Sequence, residues 1–231
     1  MSNRFSYFLA WRHGLMRPIY VPPELQQVRT LIAQGKLLAA IDQLWISARL
    51  GSGTAAAILG YVCLRDPALT MVDRQEVARL CRESANRSNG YAQYVVACSE
   101  YEQGNYKAYA RWLIRSARTG FVPAVSDYGR DMLIATRGTR WKQLYARRQL
   151  RRAVFRGHWP GAFTLIRTLA AGKFGWGLAI LGFIALPIAV LIGPAFIYFQ
   201  PFSLGVFMHP LGARQPIFDL SEAFSSSPDA E

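Results

Sequence analysis

The sequence predicts an all-α protein: an α-solenoid of stacked helix pairs, then a basic juxtamembrane segment, then a transmembrane helix or helical hairpin. Three observations support this fold class. Residues 24–136 repeat themselves, residues 137–173 hold ten lysines and arginines and no acidic residue, and residues 174–208 carry no charge at neutral pH. Residues 1–23 form an N-terminal segment and residues 209–231 a C-terminal tail. No stretch alternates polar and apolar residues as a half-buried strand does.

The repeat is visible when the chain is compared with itself. At one constant spacing, Ser47–Arg49 matches Ser116–Arg118, and Gly51 matches Gly120. A degenerate middle copy containing Ser84–Ala85 lies between these two copies. Repeat units of this length are typical of stacked helix pairs. The glycines predict helix ends, because glycine readily adopts the left-handed conformation that terminates a helix.

The third copy carries the clearest pattern. It reads Trp112-x-x-Arg115-Ser116-Ala117-x-x-Gly120-x-x-x-Ala124-x-x-x-Tyr128-Gly129. This pattern resembles the Sel-one-like repeat, a relative of the tetratricopeptide repeat, and the resemblance extends over residues 24–136. It implies an α-solenoid whose concave face binds another protein. The candidate partner contacts on the helix pair of residues 91–118 are Tyr94, Tyr101, Arg111 and Arg115.

The segment Phe174–Phe199 is predicted to cross a membrane. As a helix it would extend ~39 Å, which exceeds the ~30 Å hydrocarbon core of a bilayer. Aromatic residues at both ends match an interfacial belt. The break at Ile192–Pro194 leaves two topologies open. A single span places the tail on the far side of the membrane, in the periplasm, whereas a re-entrant hairpin returns it to the cytoplasm.

The basic segment predicts which side of the membrane the repeats occupy. Lysines and arginines that precede a span keep that side cytoplasmic, so we expect a bacterial inner-membrane protein with its repeat domain in the cytoplasm. The residues predicted to lie at anionic lipid headgroups are Arg147, Arg148, Arg151, Arg152, Arg156, Arg167 and Lys173. Two other interpretations of this segment remain open: a nucleic-acid patch with interleaved aromatic residues, and a docking surface for an acidic partner.

The sequence offers little that indicates catalysis, a cofactor or a metal. The three histidines are far apart in the chain, and no phosphate-binding, hydrolase or zinc motif is present. The cysteines are interpreted as buried packing residues. Asp127 and Asp131 lie one helical turn apart beside Arg130, which predicts a solvated, salt-bridged helix face. We therefore expect no enzyme and no cofactor.

The expected function is that of a membrane-anchored protein–protein interaction scaffold or regulatory subunit of an inner-membrane complex. Bacterial exopolysaccharide synthesis and export is the pathway we expect, given the repeat resemblance together with the anchor. A secretion-apparatus component or chaperone is one alternative, and a membrane-tethered nucleic-acid binder is another.

Overall fold

The computed structural model describes residues 25–65, 73–135, 140–155, 159–170, 179–182 and 184–185, and within these ranges the chain is helical and contains no strand. The helices are α1 (Gln26–Ala33), α2 (Leu37–Arg49), α3 (Gly53–Arg65), α4 (Arg74–Asn86), α5 (Gly90–Glu102), α6 (Tyr106–Arg118), α7 (Val122–Ala135), α8 (Arg140–Phe155) and α9 (Trp159–Ala170).

The helix boundaries follow the repeat found in the sequence. Helices α2, α4 and α6 begin at Leu37, Arg74 and Tyr106, and these three positions are equivalent in the three copies. Helices α3, α5 and α7 begin at Gly53, Gly90 and Val122, with the same two intervals between them. The helix pairs therefore recur at the spacing that the sequence predicts.

The helices form two compact units, Met1–Phe121 and Val122–Glu231. In the first unit each helix packs against the next from α1 to α6, and α3 also packs against α5. In the second unit α7, α8 and α9 pack against one another. Adjacent helix pairs are thus stacked in the first unit, which is compatible with a helical-repeat solenoid.

The core of the first unit also follows the repeat. Leu44 in α2 and Leu113 in α6 occupy equivalent positions, and both are fully buried. Their equivalent in α4 is Cys81, which is 2% exposed. Because burying a leucine removes apolar surface from water, this repeated position contributes directly to the stability of the stack. The second unit has its own core, formed by Met132 and Leu133 of α7 with Ala146 and Leu150 of α8.

One turn geometry ends the first helix of every pair. Two residues beyond the ends of α2, α4 and α6 lie Gly51, Ser88 and Gly120, respectively. Their φ angles are positive, at 99°, 67° and 82°. At each turn two backbone N–H groups bond back to carbonyls of the last helical turn, as in a Schellman motif. Ser88 is the one non-glycine residue with positive φ in the part of the chain that the structure describes.

Replacing Ser88 with glycine is expected to stabilise the protein by about 1 kcal/mol, because a left-handed backbone costs an L-residue roughly that amount. Urea denaturation of the full chain measures the change. Ser99→Gly, inside α5, is the matched control, and we expect it to destabilise by about 0.5 kcal/mol because glycine is a poor helix former. If the Ser88→Gly protein is less stable than the unmodified protein, this account of the turn is contradicted.

None of the helices that the structure describes is long and apolar enough to span a bilayer. The predicted span, residues 174–208, lies outside the described residues except for the helical stretches 179–182 and 184–185. The single span and the hairpin therefore both stay predictions.

Candidate partner and membrane surfaces

The two tyrosines predicted as partner contacts take part in packing. Tyr94 is 3% exposed, and its ring centroid lies 5.4 Å from that of Phe121. A ring buried to this extent presents no contact surface to a partner, so Tyr94 does not belong to a candidate site. Tyr101 is half-buried, with its ring edge-on to Tyr106 at 5.4 Å and to Tyr109 at 5.2 Å.

The two predicted arginines lie on the surface of α6. Arg111 and Arg115 are both exposed, and the guanidinium carbon of Arg115 lies 5.0 Å from the centroid of the Trp112 ring. This cation–π contact restricts the Arg115 side chain. The structure thus separates the four predicted residues into exposed arginines and packed tyrosines.

Arg115 lines a cavity that the sequence did not predict. The cavity measures about 540 Å³ and lies where the ends of α4 and α6 meet the start of α5. Its lining residues are Ala85, Asn86, Ser88, Gln93, Arg115, Arg118 and Thr119. Among the residues that the structure describes, this lining contains two guanidinium groups, two carboxamides and two hydroxyls but no acidic side chain. We call it the Gln93 cavity.

Gln93 gives the cavity a buried polar side chain. It lies in the first turn of α5, which is capped by Asn89 through a bond from the Ala92 N–H to Oδ1 of 3.0 Å. Gln93 is 5% exposed, and its Nε2 donates to the carbonyl of Ala85 at 3.0 Å. Because a carbonyl only accepts, this bond fixes which end of the carboxamide is the donor. The Oε1 atom is buried and accepts no hydrogen bond from the part of the chain that the structure describes.

A second surface lies on α8 in the other unit. Its arginines border a groove of about 450 Å³, lined by Leu144, Arg147, Arg148, Arg151 and Arg152. Nearby, Trp141 is 80% exposed and Tyr145 is 45% exposed. We call these residues the α8 basic face. Four of the predicted headgroup residues are therefore together on one helix.

The remaining predicted headgroup residues are not part of this face. Arg167 is exposed on α9. Arg156 and Lys173 lie outside the described residues, so their assignment stays a prediction.

The acidic pair of α7 is buried, contrary to the expectation of a solvated face. Asp127 and Asp131 are each 2% exposed. Each bonds to the guanidinium group of Arg130 with an N–O distance of 2.9 Å. The ion pairs are therefore present, but they form an internal cluster. Breaking such a cluster is costly because it leaves a buried charge without its partner.

The three cysteines form no disulfide bond; Cys81 and Cys98 are buried and Cys63 is half-buried. Burial raises the pKa of the Cys81 thiol to about 12. At neutral pH that thiol is fully protonated and therefore a poor nucleophile. Among the residues that the structure describes, no group of three His, Cys, Asp or Glu side chains could hold a metal ion.

Comparison with known proteins identifies no relative: no protein-family description, no curated protein and no solved structure matches this chain.

Proposed function

We propose that this chain is a helical-repeat interaction protein that works at an anionic membrane surface. In this proposal the repeat pairs bind a protein partner, and the α8 basic face contacts lipid headgroups. The stacked helix pairs and the resemblance of residues 24–136 to Sel-one-like repeats support the interaction role. The α8 basic face supports the membrane role, and it is the observation that carries the proposal.

The charge on α8 suits an anionic surface. Helix α8 contains no acidic residue, so its arginines have no carboxylate within their own helix. Arg148 and Arg152 are exposed and one helical turn apart, which places them on the same side of α8. Each basic residue near an anionic leaflet contributes about 1 kcal/mol of attraction.

The aromatic residues beside the arginines favour an interface between lipid and water. Trp141 and Tyr145 lie one turn apart and are exposed. Both side chains combine an apolar ring with a polar group, and residues of this kind concentrate at membrane interfaces. The uncharged residues 174–208 follow shortly after in the chain. Because the predicted span begins soon after α8, the sequence itself predicts an anionic lipid leaflet close to the α8 arginines.

The same surface supports a second candidate, a membrane-tethered nucleic-acid binder. Arginines with interleaved aromatic rings also suit single-stranded nucleic acid, whose bases stack on aromatic side chains. The two candidates differ in what the α8 basic face contacts, so one experiment separates them.

The same observations support a more specific role, which is also part of the proposal. A scaffold or regulatory subunit of a bacterial inner-membrane complex combines an interaction domain with a membrane tether. Tethering raises the local concentration of the repeats near membrane partners without any new contact. Exopolysaccharide synthesis and export is the pathway we favour, and a secretion-apparatus component or chaperone is the alternative.

The emission of Trp141 in the full chain tests the membrane role. The chain is reconstituted into vesicles of phosphatidylcholine or of phosphatidylglycerol, each with brominated acyl chains that quench tryptophan. The emission of the other tryptophans is measured in the Trp141→Phe protein and subtracted from that of the unmodified protein. We expect quenching of Trp141 in the phosphatidylglycerol vesicles, and weak quenching in phosphatidylcholine. Removing two arginines in R148Q/R152Q lowers the attraction by about 2 kcal/mol and should abolish the difference.

The matched control is R115Q/R118Q, which removes the same charge from α6 and should quench as the unmodified protein does. Equal quenching of Trp141 in both lipids would contradict the membrane role. An oligonucleotide that displaces Trp141 from the phosphatidylglycerol vesicles, with an affinity that falls steeply with salt, would favour the nucleic-acid candidate.

A further inference from the structure

We propose that helix α2 packs antiparallel against the α2 helix of a second copy of this chain, so that the protein is a two-fold symmetric dimer. The inference concerns assembly and does not rest on the proposed function. It is carried by three large apolar side chains on the outward side of α2. Leu38 is 62% exposed, Ile46 is 50% exposed and Leu50, just after the helix end, is 83% exposed. Together with Asp42 and Arg49 they form what we call the α2 outer face.

The repeat shows that packing within the chain does not require these apolar residues. The buried residues of α2, among them Leu44, lie on the opposite side of the helix. The other two copies place polar or charged residues at the exposed positions. The equivalents of Leu38, Ile46 and Leu50 are Gln75, Glu83 and Arg87 in the middle copy, and Lys107, Arg115 and Thr119 in the third. Three exposed apolar side chains grouped on one helix indicate a surface that another protein covers.

The charged residues of the α2 outer face indicate which protein covers it. Asp42 lies about one helical turn before Ile46, and Arg49 lies about one turn after it. Both are exposed, and neither forms an ion pair with a residue that the structure describes. In two antiparallel helices that cross at Ile46, Asp42 of each copy lies opposite Arg49 of the other. The face is therefore complementary to itself, as a two-fold interface requires.

The apolar residues fit the same arrangement. Leu38 and Leu50 lie toward opposite ends of α2, so antiparallel packing brings Leu38 of one copy toward Leu50 of the other. Ile46 lies close to the two-fold axis and contacts its counterpart. The interface thus has apolar contacts at its centre and at both ends, with an ion pair on each side of the axis.

Arg49 is held in position by residues of its own copy. Its guanidinium carbon lies 5.8 Å from the centroid of the Trp45 ring, within the range of a cation–π contact. Glu76 of α4 attracts it as well, but the Glu76 carboxylate is already bonded to Arg79 at 2.6 Å. A guanidinium restricted in this way loses less entropy when it pairs with a carboxylate of the second copy.

The other copies of the repeat lack the self-complementary charges. The equivalents of Asp42 and Arg49 are Arg79 and Asn86 in α4, and Arg111 and Arg118 in α6. An α6 helix packed antiparallel against a second α6 would bring arginine against arginine, and repulsion between like charges disfavours that pairing. The charge pattern therefore selects α2, and α6 offers matched control positions.

Crosslinking of the full chain in mild detergent tests where the two copies meet. The Ile46→Cys protein, treated at low concentration with a short bismaleimide, should give a covalent dimer, because residues at the crossing of two packed helices lie close together. Arg115→Cys, at the equivalent position of α6, is the control. It should give no more dimer than the unmodified protein, whose own cysteines supply the background.

Exchanging the charges tests the ion pairs. Asp42→Arg and Arg49→Asp each place like charges opposite each other, so each should raise the dissociation constant of the dimer at least about tenfold in analytical ultracentrifugation. D42R/R49D reverses both pairs and should return the dissociation constant close to that of the unmodified protein. Arg111→Asp changes the net charge as Arg49→Asp does, but on α6, and should leave the dissociation constant unchanged.

Three results would overturn the inference. If Ile46→Cys gives no more dimer than Arg115→Cys, α2 does not meet a second α2, and the face is left to a different protein or to another part of the chain. If D42R/R49D associates no better than the single variants, the ion pairs do not form. If Arg49→Asp strengthens association, net charge alone governs it, since that change lowers the charge of a basic chain.

Discussion

Replacing Leu113 with alanine is expected to lower the free energy of unfolding by about 3 kcal/mol, and Leu44→Ala should cost about the same. Both side chains are fully buried at equivalent positions of the repeat. Alanine removes the buried methyl groups and leaves a cavity that a helix stack fills only in part. Two positions far apart in the chain should therefore respond alike, which unrelated core positions have no reason to do.

Urea denaturation followed by circular dichroism in the far ultraviolet measures both changes. Leu50→Ala is the control, since Leu50 is 83% exposed and a surface truncation changes stability by less than about 0.5 kcal/mol. A loss below about 1 kcal/mol at both buried positions, well short of the usual cost of such a truncation, would show that the stack is not packed as described. A loss of stability with Leu50→Ala equal to that with Leu44→Ala and Leu113→Ala would also show that the stack is not packed as described.

Replacing Gly60 with valine is expected to destabilise the protein by about 3 kcal/mol through overpacking. Gly60 is buried in α3. A Cβ atom there would lie 3.1 Å from Cγ1 of Val95 in α5 and 3.2 Å from Sγ of Cys81 in α4. Three helices thus meet around a position with no room for a side chain. The equivalent position holds Ala97 in the middle copy and Gly129 in the third.

The measurement is again urea denaturation, with Ala39→Val as the control because Ala39 is exposed on α2 and gains the same side chain without crowding. Cys81→Ala in the Gly60→Val protein should recover part of the loss, since it removes the nearest sulfur atom. If Gly60→Val is no worse than Ala39→Val, α3 does not approach its neighbours this closely.

The helix boundaries could be predicted because their signals are local. A left-handed turn after α2 or α6 needs only the glycines at 51 and 120, and these residues are visible in the sequence. Ser88 is harder to recognise, because serine does not by itself indicate a positive φ. Its position in the repeat is the signal that predicts it.

The candidate sites were predictable in part. The arginines of α8 are close in sequence, so the helix period alone brings them together. The Gln93 cavity could not be predicted, because its wall combines residues from three helices and two turns. One signal was available: a glutamine at position 93 where the first copy has Ala56. Tyr94 was misjudged because a tyrosine suits a buried ring stack as well as a binding surface.

The burial of Asp127 and Asp131 was also out of reach of the sequence. Spacing on one helix shows that carboxylates share a face, but not whether another helix covers it. In the structure both carboxylates form an ion pair with the neighbouring Arg130, and all three charges lie close together.

The most direct test of an interaction protein at a membrane is to recover the full chain from its native host in mild detergent and quantify what accompanies it. The account predicts one or a few membrane proteins in stoichiometric amount. Their recovery should persist with R148Q/R152Q once detergent has replaced the lipid. Recovery of nucleic acid instead, or of many soluble proteins in substoichiometric amounts, would contradict it.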